Sequence, residues 1–222
     1  MSGNEQPQTR AADASEDRAN QSDSIEDLQL QHQAKETGHH PIFDDMPASF
    51  DGAVALFDAA DPIPVDFMTG CWHGWELPTQ HPLDGILDAS GWWGKEFIDA
   101  DVVNPLLYGG HNGSRLWACH PARIPLRTLL RLPRPLRTSR VLAVYMSAAR
   151  PVLRTRRPTA RLRTVTYRGR PTAAMVYDHL PIIDAFRRID DDVVIGAMDY
   201  RHCQKPYFFA LRRIGLHRPA GA

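Results

Sequence analysis

Apolar and polar residues alternate most clearly in the C-terminal third of the chain. Such alternation, in short segments rich in Val, Ile, Thr, Tyr and Phe, is typical of half-buried β-strands. The strands predicted in this part lie at residues 161–168, 172–177, 182–189, 193–198 and 207–214. Short turns such as Arg168–Pro171 and Asp190–Asp192 separate them, which predicts an antiparallel meander.

The preceding part of the chain mixes helical and strand patterns. Apolar residues recur at helical spacing after Ser49, which can cap a helix, and again between Thr79 and Ser90. Further strands are predicted at residues 70–77, 93–98, 106–108 and 115–119. A total of about eight to ten strands predicts a mainly β (α+β) fold, an antiparallel barrel with helices over its openings.

Composition divides the chain into a tail and a single domain. Residues 1–45 are rich in Gln, Asp, Glu, Ser and Ala and hold few apolar residues, so we predict a disordered acidic tail. Residues 46–222 form the predicted barrel domain. Within it we distinguish an N-terminal part (46–120), a basic helical insert (121–158) and the C-terminal β meander (159–215).

Charge is distributed unevenly along the chain, although the formal net charge is zero. Residues 1–66 hold fourteen acidic and three basic side chains, whereas residues 102–177 hold fifteen arginines and no acidic residue. Because like charges repel, a basic block without acidic neighbours favours contact with phosphates.

The helical insert combines these arginines with apolar faces, on two helices that Pro133 and Pro135 separate. The apolar faces consist of Leu126, Leu129 and Leu130, then Val141, Leu142, Tyr145 and Met146. This pattern predicts peripheral contact with anionic phospholipid. The predicted contact residues are Arg127, Arg131, Arg134, Arg137 and Arg140. Nucleic acid is disfavoured because the arginines are not interleaved with base-stacking aromatic residues. The alternative is that the apolar faces pack inward as a lid.

Cysteine use and the N-terminal residues indicate the compartment. Cys71, Cys119 and Cys203 are odd in number and widely spaced, which favours a reducing environment. The N-terminus has neither the basic nor the apolar region of a signal peptide. We therefore expect a cytoplasmic protein, with the inner membrane surface as the place of contact for the arginines. A homodimer is compatible with the sequence, which does not fix the oligomeric state.

The segment Gly70-Cys71-Trp72-His73-Gly74 resembles the signature of the GXWXG family, and later segments extend the resemblance over residues 50–215. Matching segments lie at 83–87, 91–95 and 104–107. Residues 177–187, 196–199 and 207–213 resemble the companion C-terminal domain of unknown function 4334. The family has no settled activity. A more distant resemblance to lipocalin-like and nitrobindin-like barrels implies that a Gly and a Trp close one barrel end.

The function expected from these features is binding of a hydrophobic or lipid-like ligand in the barrel. Tryptophans near Gly-rich turns and the C-terminal run supply the candidate ligand residues: Trp72, Trp75, Trp92, Trp93, Tyr177, Asp184, Phe186 and Arg187. The alternative is a small-molecule enzyme that uses Asp178 and Asp184. Less favoured is haem binding through His202 or His217. We predict no cofactor and no metal, because the spacings C-x-x-C and H-x-x-x-H are missing.

Overall fold

The computed structural model describes residues 46–109 and 116–215. The predicted disordered tail, residues 1–45, lies outside them. The described part contains ten strands. They are β1 Asp61–Pro62, β2 Gly70–Glu76, β3 Trp92–Phe97, β4 Val103–Tyr108, β5 Trp117–Ala118, β6 Ala160–Tyr167, β7 Arg170–Tyr177, β8 Ile182–Arg188, β9 Val193–Tyr200 and β10 Tyr207–Gly215.

Eight of these strands close into an antiparallel barrel, as the sequence predicts. The neighbour order is β8-β7-β6-β4-β3-β2-β10-β9, and β9 pairs again with β8 to close the ring. The two short strands pair with barrel strands, β1 with the end of β8 and β5 with the end of β4. The shortest pairing in the ring joins β4 to β6 through the single pair Val103–Ala160.

Residues 46–109 and 116–215 also contain six short helices. They are α1 Phe50–Ala59, α2 Ile86–Ser90, α3 Leu126–Arg131, α4 Arg134–Arg137, α5 Arg140–Ala148 and α6 Arg150–Leu153. Single 3-10 turns lie at Val65–Met68 and Pro121–Arg123. None of the helices in residues 46–109 and 116–215 has the length and apolar character that a bilayer crossing requires.

Two helical predictions need correction. The helix expected from Thr79 begins only at Ile86. In the segment before it, a side chain rather than a helical carbonyl accepts the backbone hydrogen bond: the Asp84 carboxylate accepts from the amide of His81 at 2.9 Å. In the insert, the structure has four helices where the pattern predicts two. Pro133 caps the start of α4 and Pro151 stands in the first turn of α6, where the missing N–H costs nothing.

Helix α1 packs against the outer face of the barrel. The Ser49 hydroxyl accepts from the Gly52 amide at 3.1 Å, which confirms the predicted N-cap. Phe57 is fully buried between α1 and outward-facing residues such as Ile195 and Phe208. A second apolar core, made of the inward-facing residues, fills part of the barrel.

Candidate functional site

An apolar cavity of about 460 Å³ lies between the barrel interior and the helical insert. Its barrel side includes Tyr108, Met198 and Phe209, and its insert side includes Leu129 and Leu142. A volume of this size is within the range of ordinary small-molecule sites, about 300–1,000 Å³. The insert therefore acts in part as the lid that the sequence left as an alternative.

A buried ion pair provides the main charge in the cavity wall. The Nζ of Lys95 lies 2.9 Å from Oδ2 of Asp184, and the two side chains are 4% and 1% exposed. The same Nζ donates to the carbonyl of Pro105 at 3.2 Å and to the hydroxyl of Tyr177 at 3.5 Å. All three protons of the Lys95 ammonium thus have acceptors, and the Tyr177 hydroxyl also forms a hydrogen bond with the Asp184 carboxyl group.

Burial dominates the electrostatics of this pair. The pKa of Asp184 is raised because the carboxyl group is desolvated, although Lys95 opposes the shift. The pKa of Tyr177 is also well above its ordinary value, first because of burial and then because of the neighbouring Asp184. Aromatic rings surround the ammonium: Nζ lies 4.9 Å from the ring centre of Phe209 and 5.6 Å from that of Trp92.

A bulge in β3 brings Lys95 into the barrel. In a regular strand, residues three positions apart face opposite sides, but Trp92 and Lys95 both line the cavity. The pairing of β3 with β4 shifts on both sides of Gly94. A Cβ at Gly94 would overlap the carbonyl oxygen of Trp72 on the adjacent strand, so only glycine permits this close approach.

A second polar contact lies where β2 ends. The hydroxyl of Tyr207, another residue of the cavity wall, donates to Oε2 of Glu76 at 2.6 Å. Glu76 also accepts from the amides of Gly85 at 2.7 Å and Leu87 at 3.3 Å. Burial raises the pKa of Glu76, while these hydrogen bonds act against the shift. Glu76 therefore fixes the segment around α2 to the barrel rim beside the cavity.

Comparison with known proteins identifies the family. Residues 55–113 match the profile described as GXWXG protein, and residues 158–213 match a domain of unknown function (DUF4334). A crystal structure of a protein from Thermomonospora curvata is 36% identical in sequence. The match covers 72% of this chain and 84% of that chain with a TM-score of 0.51. The chain belongs to the GXWXG family. No curated protein matches it.

The GXWXG motif begins strand β2, next to the 3-10 turn Val65–Met68. Trp72 is fully buried, donates from Nε1 to the carbonyl of Met68 at 2.8 Å, and has the guanidinium of Arg213 stacked 4.2 Å from its ring centre. Gly74 leaves space for the Trp92 ring, which a Cβ at that position would overlap. The motif thus packs the start of β2 through Trp72 and, through Gly74, makes room for Trp92 in the cavity wall.

Of the predicted ligand residues, the structure brings Trp92, Tyr177 and Asp184 together in the cavity wall. Trp75 and Trp93 instead pack around His73 and line a neighbouring pocket of about 830 Å³, which shares Trp92 and Tyr108 with the cavity. Whether any of them binds a ligand stays a prediction.

The remaining predicted ligand residues, Trp72 included, lie away from the cavity wall. Phe186 is buried in the core against Phe97. Arg187 lies on the opposite face of β8, where it donates to the carbonyl of Tyr167 at 3.0 Å and stacks on Phe57.

The structure does not bring the carboxylates of the enzyme alternative together. Asp178 lies on the barrel surface, 3.4 Å from Arg161, outside the cavity wall that holds Asp184. His202, the first haem candidate, is exposed against the Tyr200 ring, and His217 lies outside the described residues. Within the described residues, no cluster of three His, Cys, Asp or Glu side chains could hold a metal ion.

Sequence reasoning missed three residues of the site: Lys95, Glu76 and Tyr207. Lys95 stands in the predicted strand 93–98, and strict alternation gives no reason to place it inside. The single lysine among so many arginines in the middle of the chain is the signal that could have drawn attention to it.

Proposed function

We propose that this protein binds a small molecule with a largely apolar body and one polar group. The apolar body would occupy the cavity between the barrel and the insert, in contact with residues such as Leu142, Met198 and Phe209. The polar group would approach Lys95 and Asp184. A predominantly apolar pocket with a few convergent polar groups is the usual form of a small-molecule site.

The observation that carries this proposal is the buried ion pair in an otherwise apolar wall. Removing two charges from water costs several kcal/mol per ion, and apolar replacements of such pairs are often neutral or stabilising. Stability of the barrel therefore gives a weak reason to keep the pair. A role in orienting a ligand gives a better one, because the pair faces a cavity that is otherwise lined mainly by apolar side chains.

The test begins with gentle purification, native mass spectrometry and organic extraction of whatever co-purifies. Next, decan-1-ol, decanoate, decylamine and dodecane are titrated against the purified protein while its tryptophan emission is recorded, since Trp92 lines the cavity. We expect saturable quenching, strongest for a polar-headed chain and weaker for dodecane. Absence of saturable binding for all four probes would contradict the proposal.

We also propose that the helical insert contacts anionic membranes, because it exposes apolar and basic side chains together. Large apolar residues at least 43% exposed are concentrated there: Leu132, Leu136, Val141, Val144, Tyr145 and Val152. Among the predicted contact residues, Arg127, Arg131, Arg134 and Arg140 are exposed, and Arg137 is half-buried. Charge complementarity to an acidic lipid surface and shallow burial of the apolar side chains support the same occupant.

Each arginine near an anionic surface contributes on the order of 1 kcal/mol, so several give reversible binding. The assay is co-sedimentation with neutral and anionic vesicles at two salt concentrations. Binding should require anionic lipid and weaken as salt rises. Replacing Arg127, Arg131, Arg134 and Arg137 together by Gln should abolish it, whereas replacing the exposed Arg188 and Arg201 should not. Equal binding of the fourfold variant and the wild type would refute this contact.

A further inference from the structure

The chain uses lysine very sparingly, and one of its lysines stands in the cavity. Its 26 basic residues include only Lys35, Lys95 and Lys205 as lysines. Arginine would make stronger paired hydrogen bonds to a carboxylate, but it cannot lose its proton in a protein. Lysine can, and its free amine is a nucleophile that forms Schiff bases with carbonyl compounds. The residue type at position 95 therefore fits a chemical role better than a purely electrostatic one.

Lys95 and Asp184 are close enough to exchange a proton. Nζ lies 2.9 Å from Oδ2 of Asp184, so a proton can pass directly from the ammonium to the carboxylate. The products of that transfer are an uncharged amine and an uncharged carboxylic acid, so the transfer leaves no unpaired charge in the apolar cavity. The raised pKa of Asp184 is in line with this transfer. The Pro105 carbonyl, 3.2 Å from Nζ, holds the amine at the cavity wall.

We propose that the ligand is an apolar aldehyde or ketone that Lys95 binds covalently as an imine. This inference rests on the proposed function and names the polar group of its ligand. Nζ of Lys95 attacks the carbonyl carbon after Asp184 has taken one ammonium proton. A second proton then passes from Nζ to the carbonyl oxygen, which gives the carbinolamine. Asp184 returns the proton to the carbinolamine hydroxyl, which leaves as water while the C=N bond forms. No oxidant or reductant is required, and the reaction is reversible.

The neighbouring groups suit the product as well as the reaction. A protonated imine keeps the positive charge at Nζ, so the Asp184 carboxylate remains its counter-ion at the same position. The hydroxyl of Tyr177 lies 3.5 Å from Nζ and is hydrogen-bonded to Asp184, so it helps to hold the amine beside the proton carrier. The rings of Trp92 and Phe209 lie over the same nitrogen and stabilise its charge.

The experiment uses the full-length protein, decanal and cyanoborohydride, which reduces an imine to a stable secondary amine. Peptide mass spectrometry then measures the decylated fraction of each lysine. We expect modification of Lys95 to exceed that of the exposed Lys205 by at least about tenfold, because a bound aldehyde is held next to the amine. Excess decan-1-ol should suppress modification at Lys95 and leave Lys205 unchanged. Equal modification of the two lysines would overturn the inference.

Two variants separate the chemistry from binding. Asp184→Asn keeps the nucleophile but removes the proton carrier, so decylation of Lys95 should slow by at least about tenfold. Lys95→Arg keeps the charge but cannot form an imine, so no covalent product should appear at position 95. If the wild type binds decan-1-ol saturably yet never yields a reduced adduct at Lys95, the imine is wrong and the proposed function stands. If neither probe binds, both fail.

Discussion

Replacing Lys95 by Met should destabilise the protein far more than loss of one surface charge would. Both side chains of the ion pair are almost fully buried, and Nζ lies 2.9 Å from Oδ2 of Asp184. At that distance the attraction is about 6 kcal/mol for an effective dielectric constant of about 20. Met fills a similar volume, so the variant loses this attraction while the carboxyl group stays desolvated. We expect a loss of about 3–5 kcal/mol in the free energy of unfolding.

The double variant Lys95→Met with Asp184→Leu should recover most of that loss. Removing both partners also removes the cost of burying two charges, and such replacements are often neutral or stabilising by about 1–4 kcal/mol. Urea unfolding of the wild type, both single variants and the double variant gives the coupling energy directly. Additive losses, with the double variant the least stable, would refute the argument that the pair costs desolvation energy.

The single Lys95→Met variant should also respond to pH. The pKa of Asp184 is raised by burial even while Lys95 lowers it, so it rises further once Lys95 is gone. A folded-state pKa above the unfolded value makes the folded state bind its proton more tightly. Stability is then greatest at low pH and falls as pH rises through the folded pKa. The loss of unfolding free energy in the variant, relative to the wild type, should therefore be smaller at about pH 5 than at about pH 8.

Two further variants test the surroundings of the cavity. His81 accepts a hydrogen bond from the Leu83 amide and donates one to the Lys205 carbonyl, and burial lowers its pKa from 6.5. The stability of the wild type should therefore fall as pH drops below 6.5. His81→Gln should remove that part of the pH dependence, as measured by urea unfolding. Gly74→Val should cost about 1–3 kcal/mol and weaken ligand binding, since the new side chain overlaps the Trp92 ring, which lines the cavity. An unchanged melting temperature would contradict this prediction.

Much of the fold could be predicted from local pattern. Alternation in the C-terminal third located five strands, and the Ser49 cap located α1, because both signals depend on residues close in sequence. The boundary of α2 could not be predicted, since it depends on Glu76, which reaches across from β2 to the amides of Gly85 and Leu87. Contacts of that kind exist only after the barrel has closed.

The candidate site was predictable only in part, for a similar reason. Tyr177 and Asp184 face the cavity, in agreement with the alternation of inward and outward side chains along their strands. The partner of Asp184, however, is Lys95, which lies 89 positions earlier in the chain. The bulge at Gly94 depends on a close approach to the Trp72 carbonyl, which no periodicity in β3 reveals. A bulge moves a side chain to the other face of a sheet, so a site built on one is hidden from alternation.

If the cavity holds a ligand, a bulky side chain that fills the cavity should prevent binding. Met198 lines the cavity and is the strand partner of Asp184, so Met198→Trp would occupy the space beside the ion pair. The control is Val144→Trp on the exposed face of the insert, 69% exposed. Thermal unfolding first shows that both variants are folded, and decan-1-ol is then titrated against each. The affinity for decan-1-ol should weaken at least about tenfold for Met198→Trp and stay at the wild-type value for Val144→Trp. Wild-type binding by folded Met198→Trp would contradict the account.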